Sequence, residues 1–264
     1  RDLHSFPTRR SSDLHIEAYC GDVRAGTETI REALGLARHA NDLRGEMLVH
    51  LTMASMLLMR GQSDEAGEFA QQSLNLAQQL GARRFQAESL GIIASIRMIR
   101  GEPDAAAGLI AEGLELGRAT GMSYCGPSLL SVFARIASDA QQRARALDEG
   151  EALLAAGCVS HSYFEFYSNA IEVTLQEGQW TKARHYADAL AAYTREEPLE
   201  WTQLLIERGN VLADIGEGKL TRETAPLLQR LCASGIDMDF RWPLAAIEAA
   251  LAKVSGVCSH QEAR

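Results

Sequence analysis

Apolar and small residues recur at spacings of three and four along the chain, the pattern of helices that bury one face. The segment after Gly61 is an example, with a stripe formed by Ala66, Phe69, Ala70, Ser73, Leu74 and Ala77. The preceding segment is apolar over most of its circumference, at Met47, Leu48, Leu51, Met53, Ala54, Met56, Leu57 and Leu58. Such a helix must be buried on more than one side. The two segments therefore predict a helix pair, a largely buried first helix followed by an amphipathic second helix.

The helix pair recurs with a period of about 40 residues, and such periods indicate repeat architectures. Its most regular feature is a glycine between the two helices, at Gly21, Gly61 and Gly101. The apolar positions keep this register, with leucines at Leu34, Leu74 and Leu114 and again at Leu36, Leu76 and Leu116. Gly178 and Gly216 continue the series loosely, which predicts further pairs in the second half of the chain.

Residues that tolerate positive φ are predicted to close the units, as helix C-termini often require: Asn41, Gly81 and Gly121. The later pairs are predicted at 85–100 with 103–118, 127–140 with 143–156, 160–177 with 180–193, and 199–215 with 221–233. A final helix is predicted at 242–253. Gln141 stands at the glycine position of the third unit, so the turn of that unit should differ.

No run alternates apolar and polar residues over the length of a strand, and no glycine-rich nucleotide loop follows one. We therefore predict an all-α fold, a right-handed α-solenoid of stacked antiparallel helix pairs. About five pairs and the terminal helix should form one domain over residues 15–255, with the first helices lining the concave face. Residues 256–264 are expected to form a flexible tail.

The turns between the helices resemble those of tetratricopeptide repeats. That family carries glycine, four further residues and then a small residue across the turn, as seen here at Gly61–Ala66, Gly101–Ala106 and Gly178–Ala183. Ala54 and Ala94 match its small first-helix position, where close helix approach needs small side chains. The period exceeds the family's usual length of about 34 residues. Gly216 is followed by Thr221 where alanine belongs, so the fifth unit departs from the pattern.

The longer period resembles the C-terminal repeat region of bacterial signalling ATPases. These include regulators of the maltose-regulon-activator type and fusions of a nucleotide cyclase, an ATPase and a repeat tail. Residues 178–184 and the pair Glu200-Trp201 carry most of this resemblance. It implies a non-catalytic interaction, sensor or scaffold region of a larger cytoplasmic protein. No Gly-x-x-x-x-Gly-Lys-Ser/Thr motif occurs, so ATPase or cyclase activity would belong to sequence upstream.

Two alternatives remain open at this stage. The chain could be the ligand-binding solenoid of a transcription activator whose DNA-binding domain is absent, or an enzyme with an all-helical pocket. The sequence supplies no catalytic constellation, no cofactor motif and no metal-ligand spacing among its five cysteines and seven histidines. We expect a protein or peptide partner, which includes other domains of the same parent chain.

Charge and composition further limit the kinds of partner that we expect the chain to bind. Lys and Arg number 26 against 35 Asp and Glu, and the net charge of −9 argues against nucleic acid, whose phosphates need clustered cations. Apolar residues make up 46% of the chain, but no run approaches the roughly 18 residues of a membrane span. Scattered cysteines favour reduced thiols and a cytoplasmic location.

Two groups of residues are candidates for partner binding. Arg83, Arg84 and Arg97 would form a basic spot that pairs with an acidic peptide, although solvated side chains would give the same pattern. Tyr163 and Tyr167 belong to an aromatic cluster that would hold a peptide or a helix. The alternative for this cluster is core packing between two repeat units.

Residues 6–14 resemble the in-frame translation of a short-read sequencing adapter. We therefore expect residues 1–14 to be non-native and leave them out of the fold prediction. The other interpretations are a basic flexible tail and a targeting peptide, but no apolar core follows Arg9 and Arg10.

Overall fold

The structure of the chain is a computed structural model that describes residues 23–262, and twelve α-helices follow one another in this range. They are α1 (Val23–His39), α2 (Leu43–Met59), α3 (Ser63–Gln79), α4 (Arg83–Ile99), α5 (Pro103–Thr120), α6 (Gly126–Ile136), α7 (Ala140–Ala156), α8 (Ser160–Gln176), α9 (Trp180–Tyr193), α10 (Glu200–Gly216), α11 (Thr224–Asp237) and α12 (Leu244–Glu262). No strand occurs in this range, so the predicted all-α fold is confirmed there. The predicted tail at 1–14 and the turn glycine Gly21 lie outside the described residues.

The helices form two compact units, the first ending at Phe166 and the second beginning at Tyr167. We call α2, α4, α6, α8, α10 and α12 the first helices and the others the second helices. In unit 1 each helix from α1 to α7 packs on the next, and the first helices α2, α4 and α6 also contact one another in order. Contacts between near neighbours are the pattern of repeat proteins. A single domain over 15–255 stays a prediction.

Small buried residues let the paired helices approach each other. Ala66, Ala106 and Ala183, on the second-helix side of three turns, are completely buried. Ala54 and Ala94 are completely buried at matching positions of α2 and α4. Larger apolar side chains fill the core around these contacts, and the cluster between α1 and α4 includes Ile30, Met53, Leu57, Ile93 and Ile96.

Glycines with positive φ turn the chain between paired helices. Gly61, Gly101 and Gly178 adopt φ values of 74°, 74° and 69°, a conformation that residues with a Cβ rarely adopt. Gly216 does not occupy the corresponding turn in the fifth pair, contrary to the sequence prediction. It is the last residue of α10, and Gly218, with φ of 75°, makes the turn instead. The interval from Gly178 to Gly218 is 40 residues, which restores the register of the repeat.

Gly216 is small for a different reason. A Cβ at this position would overlap the indole ring of Trp180, which lies against the end of α10. The sequence alone does not distinguish Gly216, which packs against Trp180, from Gly218, which makes the turn.

Four helices have an end that lies three or more residues from its predicted position: α6, α7, α11 and α12. The first helix of the third pair, α6, ends at Ile136 rather than near residue 140, and Asp139 caps α7 by accepting a hydrogen bond from the backbone N–H of Gln142 at 2.7 Å. The turn of this unit does differ from the others, as the missing glycine predicts. The terminal helix α12 continues to Glu262, so residues 256–262 of the predicted tail are helical.

A buried arginine ties together the first helices of unit 2. Arg208 on α10 is 2% exposed and donates a hydrogen bond to the carboxylate of Glu172 on α8 at 2.8 Å. Its Nε also donates to the Pro243 carbonyl at 3.2 Å, and its guanidinium lies 5.7 Å from the centre of the Trp242 ring. Because its charge is both paired and hydrogen bonded, its burial is tolerated.

Replacing this arginine should destabilise unit 2. Arg208→Ala leaves the Glu172 carboxylate without its partner, so we expect a loss of about 3–5 kcal/mol in the free energy of unfolding. Arg241→Ala, which removes a more exposed ion pair with Asp239, should cost no more than about 1 kcal/mol. All three tryptophans lie in unit 2, so urea unfolding followed by tryptophan fluorescence reports on this unit. Equal losses in the two variants would contradict this account of Arg208.

Packing in unit 1 is tested by two helical glycines. A methyl group at Gly150 would overlap the buried ring of Phe166, whereas one at Gly108 meets nothing within 4 Å. We expect Gly150→Ala to destabilise the chain by about 1–3 kcal/mol through overpacking. Gly108→Ala should stabilise it by up to about 1 kcal/mol through helix propensity. Urea unfolding followed by circular dichroism measures both, and destabilisation by Gly108→Ala would contradict the packing described here.

Candidate functional site

The three predicted arginines do not form one basic spot. Arg83 and Arg84 are exposed in the first turn of α4, whereas Arg97 lies in its last turn. At 1.5 Å per residue the helix axis separates Arg84 from Arg97 by about 20 Å. Arg97 also forms an ion pair with Glu102 across the following turn, at 2.7 Å. Only Arg83 and Arg84 therefore remain together as candidates.

The two predicted tyrosines take part in packing. The Tyr163 hydroxyl donates a hydrogen bond to the Leu154 carbonyl at 2.8 Å. Tyr167 is buried, and its ring centre lies 6.4 Å from that of Tyr186. These contacts favour the core-packing interpretation of the aromatic cluster over a peptide-binding patch.

A buried acid that the sequence analysis did not single out lies one helical turn after Arg84. Glu88 on α4 is 8% exposed, and interaction with the Tyr124 hydroxyl lowers the pKa of its carboxyl group. The Nε2 atom of His161 lies 3.7 Å from Glu88 Oε1. No hydrogen bond reaches Glu88 Oε2 from any described residue. We call Glu88, Tyr124 and His161 the acid cluster.

The repeat brings these three residues together from consecutive pairs. Glu88 lies on α4, Tyr124 in the connection that leads into α6, and His161 in the first turn of α8. The hydroxyl of Ser162 donates to the Tyr124 carbonyl at 2.8 Å and holds this connection against α8. The acid cluster therefore links three successive first helices within unit 1.

Aromatic rings enclose the acid cluster. The Tyr124 ring meets the rings of Phe85 and His161 edge to face, with centres 5.4 Å and 5.2 Å apart. The Arg84 guanidinium lies over the outer side of the site, 5.4 Å from the centre of the Tyr124 ring. This geometry is a cation–π contact, which orients the guanidinium at the surface.

Burial dominates the electrostatics of Glu88. Desolvation raises the pKa of its carboxyl to about 7, and the negative charge of Glu165 raises it as well. The charge of His161 and the neighbouring Tyr124 hydroxyl oppose these effects. Because the ionised form is disfavoured, this carboxyl group exchanges its proton near neutral pH.

The neighbouring Tyr124 and Cys125 are held in their neutral forms. Burial and the charge of Glu88 raise the pKa of the Tyr124 hydroxyl and also the pKa of the Cys125 thiol. A thiol in this state is a poor nucleophile. The arrangement is therefore suited to holding and releasing a proton and to presenting Arg84, rather than to covalent chemistry.

Within residues 23–262, His, Cys, Asp and Glu side chains nowhere come together in a group of three that would hold a metal ion. In the same range, no helix combines the length and hydropathy that a membrane span requires.

Comparisons with known proteins bear on the fold. The structure is similar to that of a Rap protein complexed with Competence and Sporulation Factor, with a TM-score of 0.65 and 12% identity over 97% of this chain and 76% of that chain. Two structures of nearly identical TPR-like repeats of a kinesin light chain from Podosopora anserina align with TM-scores of 0.38 and 0.39. Their sequences are 16% and 15% identical to this chain. Each alignment covers 88% of this chain, and the two alignments cover 96% and 98% of the respective kinesin light chain structures.

No protein-family model matches the sequence, and a search of curated proteins gave no match. The likeness at 12% identity shows the fold alone. The chain therefore has an all-helical repeat fold similar to that of the Rap protein.

The Tyr124 hydroxyl gives a direct test of the acid cluster. Tyr124→Phe removes a contact that lowers the pKa of Glu88, so this pKa should rise above its starting value of about 7. The pKa can be followed by NMR on chain labelled with ¹³C at the glutamate carboxyl carbon. Tyr163→Phe, which removes a hydroxyl bonded to a backbone carbonyl elsewhere, should leave the Glu88 pKa unchanged. A fall in the pKa of Glu88 in Tyr124→Phe would contradict the assignment.

Proposed function

We propose that the chain is a non-catalytic interaction region that binds a protein or peptide partner through the first helices of unit 1. The observation that carries this proposal is the exposed Arg84 guanidinium held over Tyr124. No carboxylate forms an ion pair with Arg83 or Arg84 within the described residues. On a chain with a net charge of −9, two adjacent unpaired guanidinium groups favour an acidic ligand.

Contacts between the first helices support a binding surface at this place. Because α2 contacts α4 and α4 contacts α6, their outward sides adjoin along unit 1. Adjoining helices of this kind give repeat proteins an extended surface for a partner. Arg84 lies near the middle of this series and is oriented by an aromatic ring. A carboxylate can accept two parallel hydrogen bonds from a guanidinium, which gives both affinity and geometric selectivity.

The structural comparison is consistent with this use of the fold. The Rap protein of similar fold was solved in complex with Competence and Sporulation Factor. The likeness supports binding as one function that such a helical array can serve, and the ligand of this chain follows from its own residues.

The proposal also concerns the larger protein to which this helical region would belong. The 40-residue period and the segment 178–184 support a larger bacterial signalling protein of the cytoplasm, with an ATPase, regulator or cyclase module upstream. The partner then includes other domains of the same chain. The complete reading frame tests this point, because a phosphate-binding loop or a cyclase motif is expected upstream. A frame that contains only further helical repeats would contradict it.

Binding through Arg84 is tested with a displayed library of random peptides selected on the wild-type chain. We expect the selected peptides to be rich in Asp and Glu and to bind Arg84→Ala at least about tenfold more weakly. The reason is the loss of a charge-assisted hydrogen bond, about 1.5–3 kcal/mol. Isothermal titration calorimetry with synthetic copies of the selected peptides gives the affinities.

A matched control is available on a second helix. Arg145 on α7 is also exposed and has no ion pair within the described range, so Arg145→Ala makes the same charge change at another surface. It should leave peptide affinity within about twofold of the wild type, apart from weak long-range effects. Equal weakening by both substitutions, or selected peptides without acidic residues, would contradict the proposed binding surface.

A further inference from the structure

We propose that the acid cluster is a pH-sensitive latch, which loosens the N-terminal ends of α6 and α8 from α4 when Glu88 loses its proton. The inference concerns the packing of unit 1 and holds whether or not a partner binds there. It rests on one buried carboxyl group that contacts two elements belonging to later repeats.

The surroundings of Glu88 favour the neutral form of its carboxyl group over the ionised form. Glu88 Oε1 lies 3.7 Å from His161 Nε2, but no described residue donates a hydrogen bond to Glu88 Oε2. A neutral carboxyl group tolerates such a site at modest cost. An ionised carboxylate with one oxygen buried and unsatisfied loses hydration that no protein hydrogen bond replaces, which disfavours the ionised form.

The charged groups around Glu88 do not offset this difference in stability between its neutral and ionised forms. From α8, His161 favours the carboxylate and Glu165 opposes it. From the connection and the start of α6, the groups are the Tyr124 hydroxyl and the Cys125 thiol, both neutral. From α4 itself, Arg84 acts on Tyr124 and Cys125 but is exposed to solvent. Within the described residues, the other helices that pack on α4 supply no charge that acts on Glu88.

The direction of the pH effect follows from the raised pKa. Glu88 has a pKa of about 7 in the folded chain against an ordinary value of 4.5. Its contribution to stability is therefore complete below about pH 4.5 and is lost as the pH rises through 7. When α6 and α8 move away, the carboxylate regains water and its ordinary pKa. The locally open state should therefore become about tenfold more populated between about pH 6 and pH 8.

A second glutamate–histidine pair provides the contrast. On α2, one repeat earlier, Glu46 lies 3.4 Å from His50. Here Arg38 donates a hydrogen bond to Glu46 at 2.8 Å and lowers the pKa of its carboxyl group. Because Glu46 is already ionised throughout the neutral range, this pair should not respond to pH between 6 and 8.

Hydrogen–deuterium exchange on the full chain tests the latch. Exchange is measured at about pH 6 and pH 8, corrected for intrinsic chemical rates, and followed by mass spectrometry at residues 121–130 and 160–166. We expect the opening equilibrium of these segments to increase about tenfold in the wild type. Glu88→Gln, which is neutral at both values, should abolish the increase, whereas Glu46→Gln should retain it.

If Glu88→Gln does not fold, two further measurements still test the proposal. Tyr124→Phe should move the midpoint of the opening to a higher pH, because the pKa of Glu88 rises. The pKa of Glu88 in the wild type can also be read from the chemical shift of its carboxyl carbon. Opening that does not change with pH, the same pH dependence in Glu88→Gln, or a wild-type Glu88 pKa near 4.5 would each overturn the proposal.

Discussion

Close approach of paired helices is the constraint on which this structure depends. It is possible because completely buried alanines recur where the helices meet, at Ala54, Ala66, Ala94 and Ala106 in unit 1. A larger side chain there would hold the helices apart and displace the next pair. Once the pairs are close, the first helices of unit 1 contact one another in series, and residues from different repeats can share one site.

Buried polar residues then join the first helices in both units, with different chemistry. Unit 1 uses the acid cluster, in which one carboxyl group contacts two later elements. Unit 2 uses Arg208 between Glu172 and the Pro243 carbonyl. Arg208 is paired with a carboxylate and hydrogen bonded to a backbone carbonyl, whereas Glu88 is a buried carboxyl group with a pKa raised to about 7. Contacts between the first helices thus depend on an ion pair in unit 2 and on a carboxyl group with a raised pKa in unit 1.

The sequence predicts the helices well because their determinants are local. Turn glycines, a proline in the first turn of α5 and stripes of apolar residues act within a few positions of the elements that they specify. Gly216 shows the limit, because a glycine that accommodates Trp180 cannot be distinguished by sequence from one that makes the turn. The early end of α6 depends on the Asp139 cap, which the repeat register does not specify.

The candidate site was less accessible to sequence analysis. Arg97 could have been excluded, since Glu102 follows it at a spacing that spans the turn. Glu88 carried only a weak signal, as one acid between Ala87 and Ser89 on a helix that also carries Arg83, Arg84 and Arg97. Its partners come from two later repeats, so their proximity depends on how the pairs stack rather than on spacing along the chain.

Stacking of the helix pairs couples Glu88 to His161, a residue two repeats away. A double-mutant cycle with Glu88→Gln and His161→Gln measures this coupling most directly, from the free energies of unfolding at about pH 7. The account predicts a coupling energy of about 1 kcal/mol or more, as expected for residues that share one buried network. Additive effects within about 0.3 kcal/mol would show that the two residues do not interact, and would contradict the account.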